Sequence, residues 1–272
     1  MKRIGLLGCG AIGTQIAIAI DTGIIQAQLT HIFDTDKKTA ENLLTKLKQK
    51  PIIVENVHLL SSNPVDLIVE AASQQAVSDN ALSILQNRRD LMVMSAGALL
   101  DESVFEIISD ACSEFKKTVY LPSGAISGID AIKSARNELE SVTITTTKHP
   151  RSLKGAKFFE TSNLDIDNIS DETIIFEGTA SEAVRLFPKN VNVSALLSLA
   201  GLGSHETIVK VIANPNIDKN IHRIEAIGKF GKINTTVENI PDSTNPKTSR
   251  LAILSAIETL RSICSDEIKI GT

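Results

Sequence analysis

Short, uninterrupted apolar runs alternate with longer amphipathic stretches through the first half of the chain. The runs are residues 3–7, 29–33, 66–70, 91–94 and 118–121, and the stretches between them are residues 11–20, 38–47, 75–86 and 101–115. Continuous apolar runs are typical of parallel strands that are buried on both faces, and longer stretches with one apolar side are typical of helices. The alternation predicts an α/β fold with an N-terminal Rossmann-type, doubly wound parallel sheet.

The pattern changes near residue 122. Residues 141–147, with the sequence SVTITTT, place β-branched side chains at a period of two, as in a half-exposed antiparallel strand. Further strands are expected within residues 173–176, 205–213 and 223–237, and helices within residues 181–187 and 193–202. These elements predict a second, α+β domain.

A length of 272 residues accommodates two domains. We place the first domain at residues 1–121 and the second domain at residues 122–244. The last segment, residues 245–272, contains a strongly amphipathic helix over residues 249–264. We expect this helix to pack back on the first domain.

Composition argues against several kinds of partner and indicates the compartment in which the protein works. The net charge is -4, from 28 basic and 32 acidic residues spread along the chain, so a nucleic-acid surface is not expected. No apolar run reaches the roughly 18 residues of a membrane span, and the N-terminal sequence MKRIGLLGCGAIG is not a signal peptide. The widely spaced Cys9, Cys112 and Cys264 fit neither a disulfide framework nor a metal site. We therefore expect no metal and a cytoplasmic location.

The clearest motif is G-x-G-x-x-G, which stands between the first predicted strand and the first predicted helix. In that context Gly8 permits the tight turn, Gly10 lets the backbone approach a pyrophosphate, and Gly13 allows the helix to pack closely on the strand. We expect Gly8, Gly10, Ala11, Ile12 and Gly13 to contact a dinucleotide. A purely structural glycine turn is the alternative.

The type of dinucleotide depends on Asp34, which follows the second predicted strand 21 residues after Gly13. A carboxylate there accepts hydrogen bonds from the adenosine ribose and repels a 2′-phosphate, so it favours NAD. Lys37 and Lys38 lie just beyond, where they could offset a 2′-phosphate or simply begin a solvated helix. NADP therefore stays open as a second cofactor.

Two further turns follow predicted strands, at the edge where open α/β sheets bind ligands. One contains Ala71 and Ala72, and the other contains Ser95, Ala96 and Gly97. Small side chains would let the nicotinamide ribose approach the backbone in both turns. For Gly97, tight packing of helix on strand explains the residue equally well.

Hydride transfer to a nicotinamide requires the protein to place the substrate and to move protons, and histidine is the natural proton carrier near neutral pH. Of the five histidines, His31 and His58 lie near predicted strands of the first domain, and we expect them to be structural. His149, His205 and His222 remain as candidates. Periodicity alone does not choose among these three.

Polar turns in the second half of the chain favour an acidic substrate. Ser123 lies in the glycine-rich turn between the predicted domains, whose N–H groups and hydroxyls can face a carboxylate, and Lys148 follows a predicted strand. Before the last helix, Lys247, Thr248 and Ser249 either cap that helix or hold an anion at its N-terminus.

Several further segments are distinctive. Besides the glycine motif, they are SAGA at residues 95–98, PSGAISGID at 122–130, KHP at 148–150, FEGTA at 176–180, FPKNVNV at 187–193, NPNIDKNIHRI at 214–224, ENIP at 238–241 and NPKTS at 245–249. Together they resemble the L-aspartate dehydrogenase family, and the resemblance covers nearly the whole chain. Few other Rossmann enzymes carry FPxNxNV followed by NxHxI. The departures are Thr35-Asp36 after Asp34 and Asn214-Pro215 in place of Asp-Pro, and neither removes a proposed functional side chain.

The resemblance implies oxidation of L-aspartate to iminoaspartate with NAD or NADP. The imine would hydrolyse to oxaloacetate and ammonia or feed the first steps of NAD synthesis. Membership also implies that His222 is the catalytic residue and that Ala125 and Asn192 contact the cofactor near its nicotinamide end. Asn192 would otherwise be an N-cap of the following helix.

Two alternatives stay open: another small amino-acid or semialdehyde oxidoreductase, such as homoserine dehydrogenase or dihydrodipicolinate reductase, and a protein that senses NAD without turnover. The NxHxI segment argues against the first alternative, and an intact His222 with the NPKTS segment argues against the second. We also expect a homodimer through the second domain, because an exposed sheet needs covering.

Overall fold

The computed structural model describes residues 1–162, 164–188, 192–242, 248–266 and 268. The chain divides into two compact units. The first comprises Met1–Pro122 together with the last helix from Ile253, and the second is built from Ser123–Ala252. In the described part of the chain, every helix is too short or too polar to cross a lipid bilayer.

The first unit is built on a parallel sheet of six strands. They are β1 (Lys2–Leu7), β2 (Ala27–Phe33), β3 (Ile52–Ile53), β4 (Leu67–Glu70), β5 (Asp90–Val93) and β6 (Val119–Tyr120), in the order β3-β2-β1-β4-β5-β6. The α-helices between them are α1 (Ala11–Asp21), α2 (Lys37–Lys46), α3 (Val57–Ser62), α4 (Gln74–Gln86) and α5 (Glu102–Phe115). This strand order is that of a Rossmann fold, so the predicted doubly wound parallel sheet is confirmed.

The central strands β1 and β4 are covered on both faces of this sheet, which is why they are largely apolar. Ile4 and Leu6 of β1 and Leu67 and Val69 of β4 have no exposed surface. Burying side chains of this size contributes about 1.5–3 kcal/mol each. Because the faces are covered, a ligand can approach the sheet only along the ends of its strands.

Two elements of the first unit were not predicted. β3 has two residues, of which Ile52 is 61% exposed, and is too short to show a period. α3 has six residues and begins after Asn56, whose side chain accepts a hydrogen bond from the Leu59 N–H at 2.8 Å. Elements this short are defined by pairing and capping rather than by a repeated apolar position.

The last helix, α11 (Arg250–Cys264), presents an apolar side to the core of the first unit. Ala256 and Leu260 have no exposed surface and lie in the same core as Ile4 of β1. With the buried Ile253, they are spaced by three and four residues and so share one face of the helix. The C-terminal segment therefore helps to stabilise the parallel sheet.

The second unit is built on a mixed sheet. Its strands are β7 (Leu139–Lys148), β8 (Thr173–Thr179), β9 (Thr207–Ala213), β10 (Asn220–Gly228) and β11 (Gly231–Asn239), in the order β11-β10-β7-β9-β8. β7 and β9 are parallel, and the other neighbouring pairs are antiparallel. Its helices are α6 (Ile129–Ser134), α7 (Pro150–Leu153), α8 (Phe158–Thr161), α9 (Ala180–Leu186) and α10 (Asn192–Ala200). The predicted second domain of α+β type is confirmed.

One predicted strand region is a hairpin. Residues 223–237 contain the end of β10 and most of β11, which pair as far as Gly228 and Gly231. Lys229 and Phe230 form the turn, and Gly231 has a φ of 117°, which favours glycine. A Lys-Phe turn lacks the Asn-Gly or Asp-Gly signature of two-residue hairpins, so the sequence pattern showed no break.

The two faces of the mixed sheet differ in burial. One face carries the buried residues of β7 and β10, which are Val142, Ile144, Thr146, Lys148, Asn220, His222, Ile224 and Ala226. We call it the inner face. Its apolar residues lie toward one end, and its polar end is formed by Thr146, Lys148, Asn220 and His222.

Candidate functional site

The turn between β1 and α1 is shaped by three glycines. Gly8 has a φ of 97°, and a Cβ there would lie 2.6 Å from the carbonyl oxygen of Ala71. A Cβ on Gly13 would overlap the carbonyl oxygen of Gly8. At Gly10, by contrast, no atom of the described residues lies within 4 Å of the Cβ position. Packing therefore requires Gly8 and Gly13, whereas Gly10 keeps open space beside the turn.

The N-terminus of α1 faces that open space without a side-chain cap. Gly10 is the N-cap residue, and Ala11 and Ile12 follow as the first helical residues. The first N–H groups of a helix have no partner within the helix, and together they attract an anion. This turn has the geometry that a pyrophosphate needs.

Asp34 follows β2 and is hydrogen-bonded to the glycine turn. Its Oδ2 accepts from the Cys9 N–H at 2.7 Å, and its Oδ1 accepts from the Asp36 N–H at 2.9 Å. Each carboxylate oxygen can accept a second hydrogen bond, so Asp34 retains capacity for ribose hydroxyls. Lys37 pairs with Glu41 at 3.9 Å on the surface of α2.

The glycine turn, Asp34 and the turn after β4 line one cavity of about 400 Å³ within the first unit. Its walls include Gly8, Gly10, Asp34, Thr35, Ala71 and Ala72. Burial, together with the charge of Asp34, raises the pKa of the Cys9 thiol to about 12. Cys9 is therefore a neutral packing residue under the turn and not a nucleophile.

The predicted residues after β5, Ser95, Ala96 and Gly97, are buried and are held by a residue that the sequence analysis missed. The Ser95 N–H donates to Oε2 of Glu70 at 3.0 Å, and the Ser95 hydroxyl donates to Oε1 at 2.8 Å. The Ala72 N–H also donates to Oε1, at 2.7 Å. Burial raises the pKa of Glu70. The one signal in the sequence was a carboxylate that ends an apolar strand.

His222 and Lys148 lie together at the polar end of the inner face. The Nδ1 atom of His222 is 3.0 Å from the hydroxyl oxygen of Thr146, its partner on β7. Burial, and then the charge of Lys148, lowers the pKa of His222 to about 3. Burial also lowers the pKa of Lys148 to about 8. The imidazole is therefore neutral at physiological pH, and a buried ammonium group stands beside it.

Asn239 extends the polar end across β11. It pairs with Asn220 of β10, and its Nδ2 donates to the carbonyl oxygen of Ala125 at 3.0 Å. The buried Oδ1 of Asn239 has no hydrogen-bond partner among the described residues. The Nδ2 of Asn220 lies 3.4 Å from the hydroxyl oxygen of Ser249. Two asparagines that the sequence analysis missed thus bring the predicted Ala125 and Ser249 to this end of the sheet.

The structure separates the three candidate histidines. The Nδ1 atom of His149 accepts from the Arg151 N–H at 3.2 Å and so caps the short helix α7. His205 is exposed in the turn before β9, and not at the start of a strand as predicted. His222 is the candidate that lies buried beside a charged group.

Other predicted residues lie outside the polar end. Ser123 is half-buried, and Asn192 is exposed at the first position of α10. Thr248 is half-buried next to Ser249, and its carbonyl oxygen accepts from the Asp242 N–H at 2.8 Å. Lys247 lies outside the described residues.

A parallel sheet in Rossmann order, with an open glycine turn and an acidic residue after its second strand, defines an NAD-binding dehydrogenase domain. Residues 8–122 match the family model described as homoserine dehydrogenase, NAD binding domain. Residues 130–263 match the model described as aspartate dehydrogenase, C-terminal. This homoserine dehydrogenase model covers the nucleotide-binding part of the chain.

Full-length relatives identify the family. The chain is 65% identical over 272 residues to an L-aspartate dehydrogenase of Nitrosopumilus maritimus, and 47% identical over 274 aligned residues to one of Methanococcoides burtonii, with all of each chain covered. The crystal structure of aspartate dehydrogenase from Thermotoga maritima superposes with a TM-score of 0.78 at 27% identity, and covers 99% of this chain and 100% of that one. The chain belongs to the L-aspartate dehydrogenase family, a family of NAD-dependent oxidoreductases.

The glycine geometry predicts that one alanine substitution weakens NAD binding and that another lowers stability. Gly10→Ala should raise the Kd for NAD about tenfold or more by filling the open space, and should lower the free energy of unfolding by less than about 1 kcal/mol. Gly13→Ala should lower the free energy of unfolding by about 1–3 kcal/mol, because α1 must move away from β1. Calorimetric titration and urea unfolding measure the two quantities. Equal effects on binding and stability in both variants would contradict this assignment.

The lowered pKa of His222 predicts that the folded chain loses stability in acid. In the unfolded chain its pKa is near 6.5, whereas in the folded chain it is about 3. Between these values only the unfolded chain gains the proton, so the free energy of unfolding falls as the pH decreases, by up to about 1.4 kcal/mol per pH unit.

His222→Asn should reduce this slope when urea unfolding is followed from about pH 6.5 to about pH 4.5. His58→Asn, which changes an exposed histidine on α3, is the control and should keep the wild-type slope. A slope in His222→Asn equal to that of the wild type would show that His222 is not buried as a neutral group.

Proposed function

We propose that this protein oxidises L-aspartate at its α-carbon with NAD, giving iminoaspartate and NADH. The observation that carries the proposal is the buried pair of His222 and Lys148, in a chain that matches L-aspartate dehydrogenases over its full length. The imine then hydrolyses to oxaloacetate and ammonia or enters the first steps of NAD synthesis. L-aspartate is an amino dicarboxylate. Of the paired residues, His222 supplies a base for its amino group and Lys148 supplies a positive charge for one carboxylate.

The first unit holds the cofactor. We assign the pyrophosphate to Gly8, Gly10, Ala11, Ile12 and Gly13, because α1 presents its first N–H groups to the open space at Gly10. When bound, NAD supplies the acceptor for the hydride that leaves the substrate. NADP remains a second cofactor to be tested.

Contacts with the two riboses and the nicotinamide come from turns that follow strands. Asp34 accepts from the adenosine ribose, which disfavours the 2′-phosphate of NADP. Small residues allow close approach further along the cofactor. We assign this role to Ala71, Ala72, Ser95, Ala96 and Gly97, and we add Ala125 and Asn192 as cofactor contacts because the family resemblance implies them.

His222 accepts the proton of the substrate ammonium group. An amine must be unprotonated before its carbon can release hydride, and the neutral imidazole can take that proton at Nε2 while Nδ1 stays with Thr146. In the substrate-free protein Lys148 weakens this base by lowering the pKa of His222. A bound carboxylate offsets that charge and strengthens the base when the substrate is in place.

Lys148 binds one substrate carboxylate. Its ammonium group is fully buried, and burial lowers its pKa to about 8. A carboxylate beside it stabilises the charged form and contributes binding energy that an uncharged substrate lacks. We assign the second carboxylate to Ser123, Lys247, Thr248 and Ser249.

We further propose a cytoplasmic homodimer. The outer face of the mixed sheet carries the half-buried Ile208, Ile212, Ile221 and Ile227, and a second copy would remove these apolar side chains from water. Cys9 and Cys112 are thiols, which suits a reducing compartment.

The proposed reaction predicts NADH formation, followed by absorbance near 340 nm, with L-aspartate but not with glutamate, alanine or homoserine. His222→Ala should lower kcat by about 10²–10⁴-fold while the Kd for NAD stays unchanged, because the base is lost and the nucleotide site is intact. His205→Ala, which changes an exposed histidine, is the control and should keep wild-type kcat. Wild-type turnover in His222→Ala, or preferred turnover of another amino acid, would contradict the proposal.

A further inference from the structure

A carboxylate that the proposed reaction does not use is buried at the end of a central strand of the parallel sheet. Glu70 ends β4, pairs with Leu7 of β1 on one side and with Val93 of β5 on the other, and is 1% exposed. Burying a carboxylate is unfavourable unless it is hydrogen-bonded, and the three preceding residues of β4 are apolar. An apolar residue could complete this strand without that penalty, so the carboxylate needs another explanation.

Its contacts join two turns that are far apart in the sequence. Oε1 accepts from the Ala72 N–H at 2.7 Å and from the Ser95 hydroxyl at 2.8 Å, and Oε2 accepts from the Ser95 N–H at 3.0 Å. Two of these partners are backbone N–H groups, which can only donate, so each carboxyl oxygen of Glu70 is needed as an acceptor. One side chain therefore fixes both the turn after β4 and the turn after β5.

The turn after β4 also supports the glycine motif. The carbonyl oxygen of Ala71 stands 2.6 Å from the position of a Cβ on Gly8, and the Ala71 N–H donates to the carbonyl oxygen of Leu7 at 2.8 Å. Ala71 is thus held by the backbone of β1 independently of Glu70. The position of Ser95 relative to Ala72, by contrast, depends directly on Glu70.

We propose that Glu70 is a positioning residue that locks the turns after β4 and β5 in one arrangement, so that the nicotinamide half of NAD meets a preformed surface. This inference rests on the proposed assignment of Ala72 and Ser95 to the cofactor site. Glu70 acts through these residues and has no contact with the reacting atoms. Its effect falls on affinity for the whole dinucleotide more than on affinity for its adenosine half.

Glu70→Gln tests the inference, because it keeps the shape of the side chain and replaces one accepting oxygen with an NH₂ donor that faces another donor. The Kd for NAD should rise about tenfold or more, whereas the Kd for ADP, which lacks the nicotinamide riboside, should rise less than about threefold. Titration calorimetry measures both constants. Glu70→Asp keeps the charge but is one methylene shorter, so it should shift the two constants in the same unequal way.

Asp66→Asn is the matched control, since Asp66 immediately precedes β4 at the other end of the strand. It removes a carboxylate that accepts from the Arg3 N–H at 2.7 Å and pairs with the Arg3 guanidinium at 3.1 Å. This variant should lower Tm and leave both dissociation constants unchanged.

Wild-type NAD affinity in Glu70→Gln and Glu70→Asp, or equal weakening of NAD and ADP, would overturn the positioning role. The readout is nucleotide affinity and not turnover. A protein that binds NAD tightly but does not oxidise L-aspartate would therefore overturn the proposed function and leave the role of Glu70 standing.

Discussion

A Cβ on Gly13 would overlap the carbonyl oxygen of Gly8, and a Cβ on Gly8 would lie 2.6 Å from the carbonyl oxygen of Ala71. Because these two side chains are absent, α1 can approach β1, and the turn after β1 can approach the turn after β4. That approach brings the first N–H groups of α1 to the ends of the central strands. Asp34 then holds the turn through the Cys9 N–H, and Glu70 holds the neighbouring turns, so the nucleotide site is built around two close backbone contacts that only glycine allows.

The candidate site of the second unit is shaped by buried charge, whereas that of the first unit is shaped by close packing. Its sheet buries Lys148 and His222 on one face, and burial lowers the pKa of both. Each group destabilises the folded chain in its charged form, so the pair is unfavourable as a purely structural device. Groups with perturbed pKa values are concentrated at functional sites, which agrees with the proposed roles of His222 and Lys148.

The sequence predicted the features that depend on neighbouring residues. The glycine motif and Asp34 were found because a turn and a strand end are local, and the parallel sheet was found because buried strands are continuous apolar runs. The hairpin at Lys229 and Phe230 was missed because its turn residues carry no standard signature.

The residues that complete the candidate sites were missed for a different reason. Glu70 contacts Ser95 across 25 positions, and Asn239 contacts Ala125 across 114. No local pattern reports such pairings. Periodicity could place His222 on a strand, but only the pairing of β10 with β7 puts it beside Thr146 and near Lys148.

The central claim is the proposal that hydride leaves the α-carbon of L-aspartate for NAD while His222 and Lys148 act on the substrate. Mass spectrometry of NADH formed from L-aspartate deuterated at the α-carbon tests it most directly. The account predicts one deuterium in each reduced nicotinamide and a slower turnover than with unlabelled substrate. NADH without deuterium, formed at an unchanged rate, would contradict it.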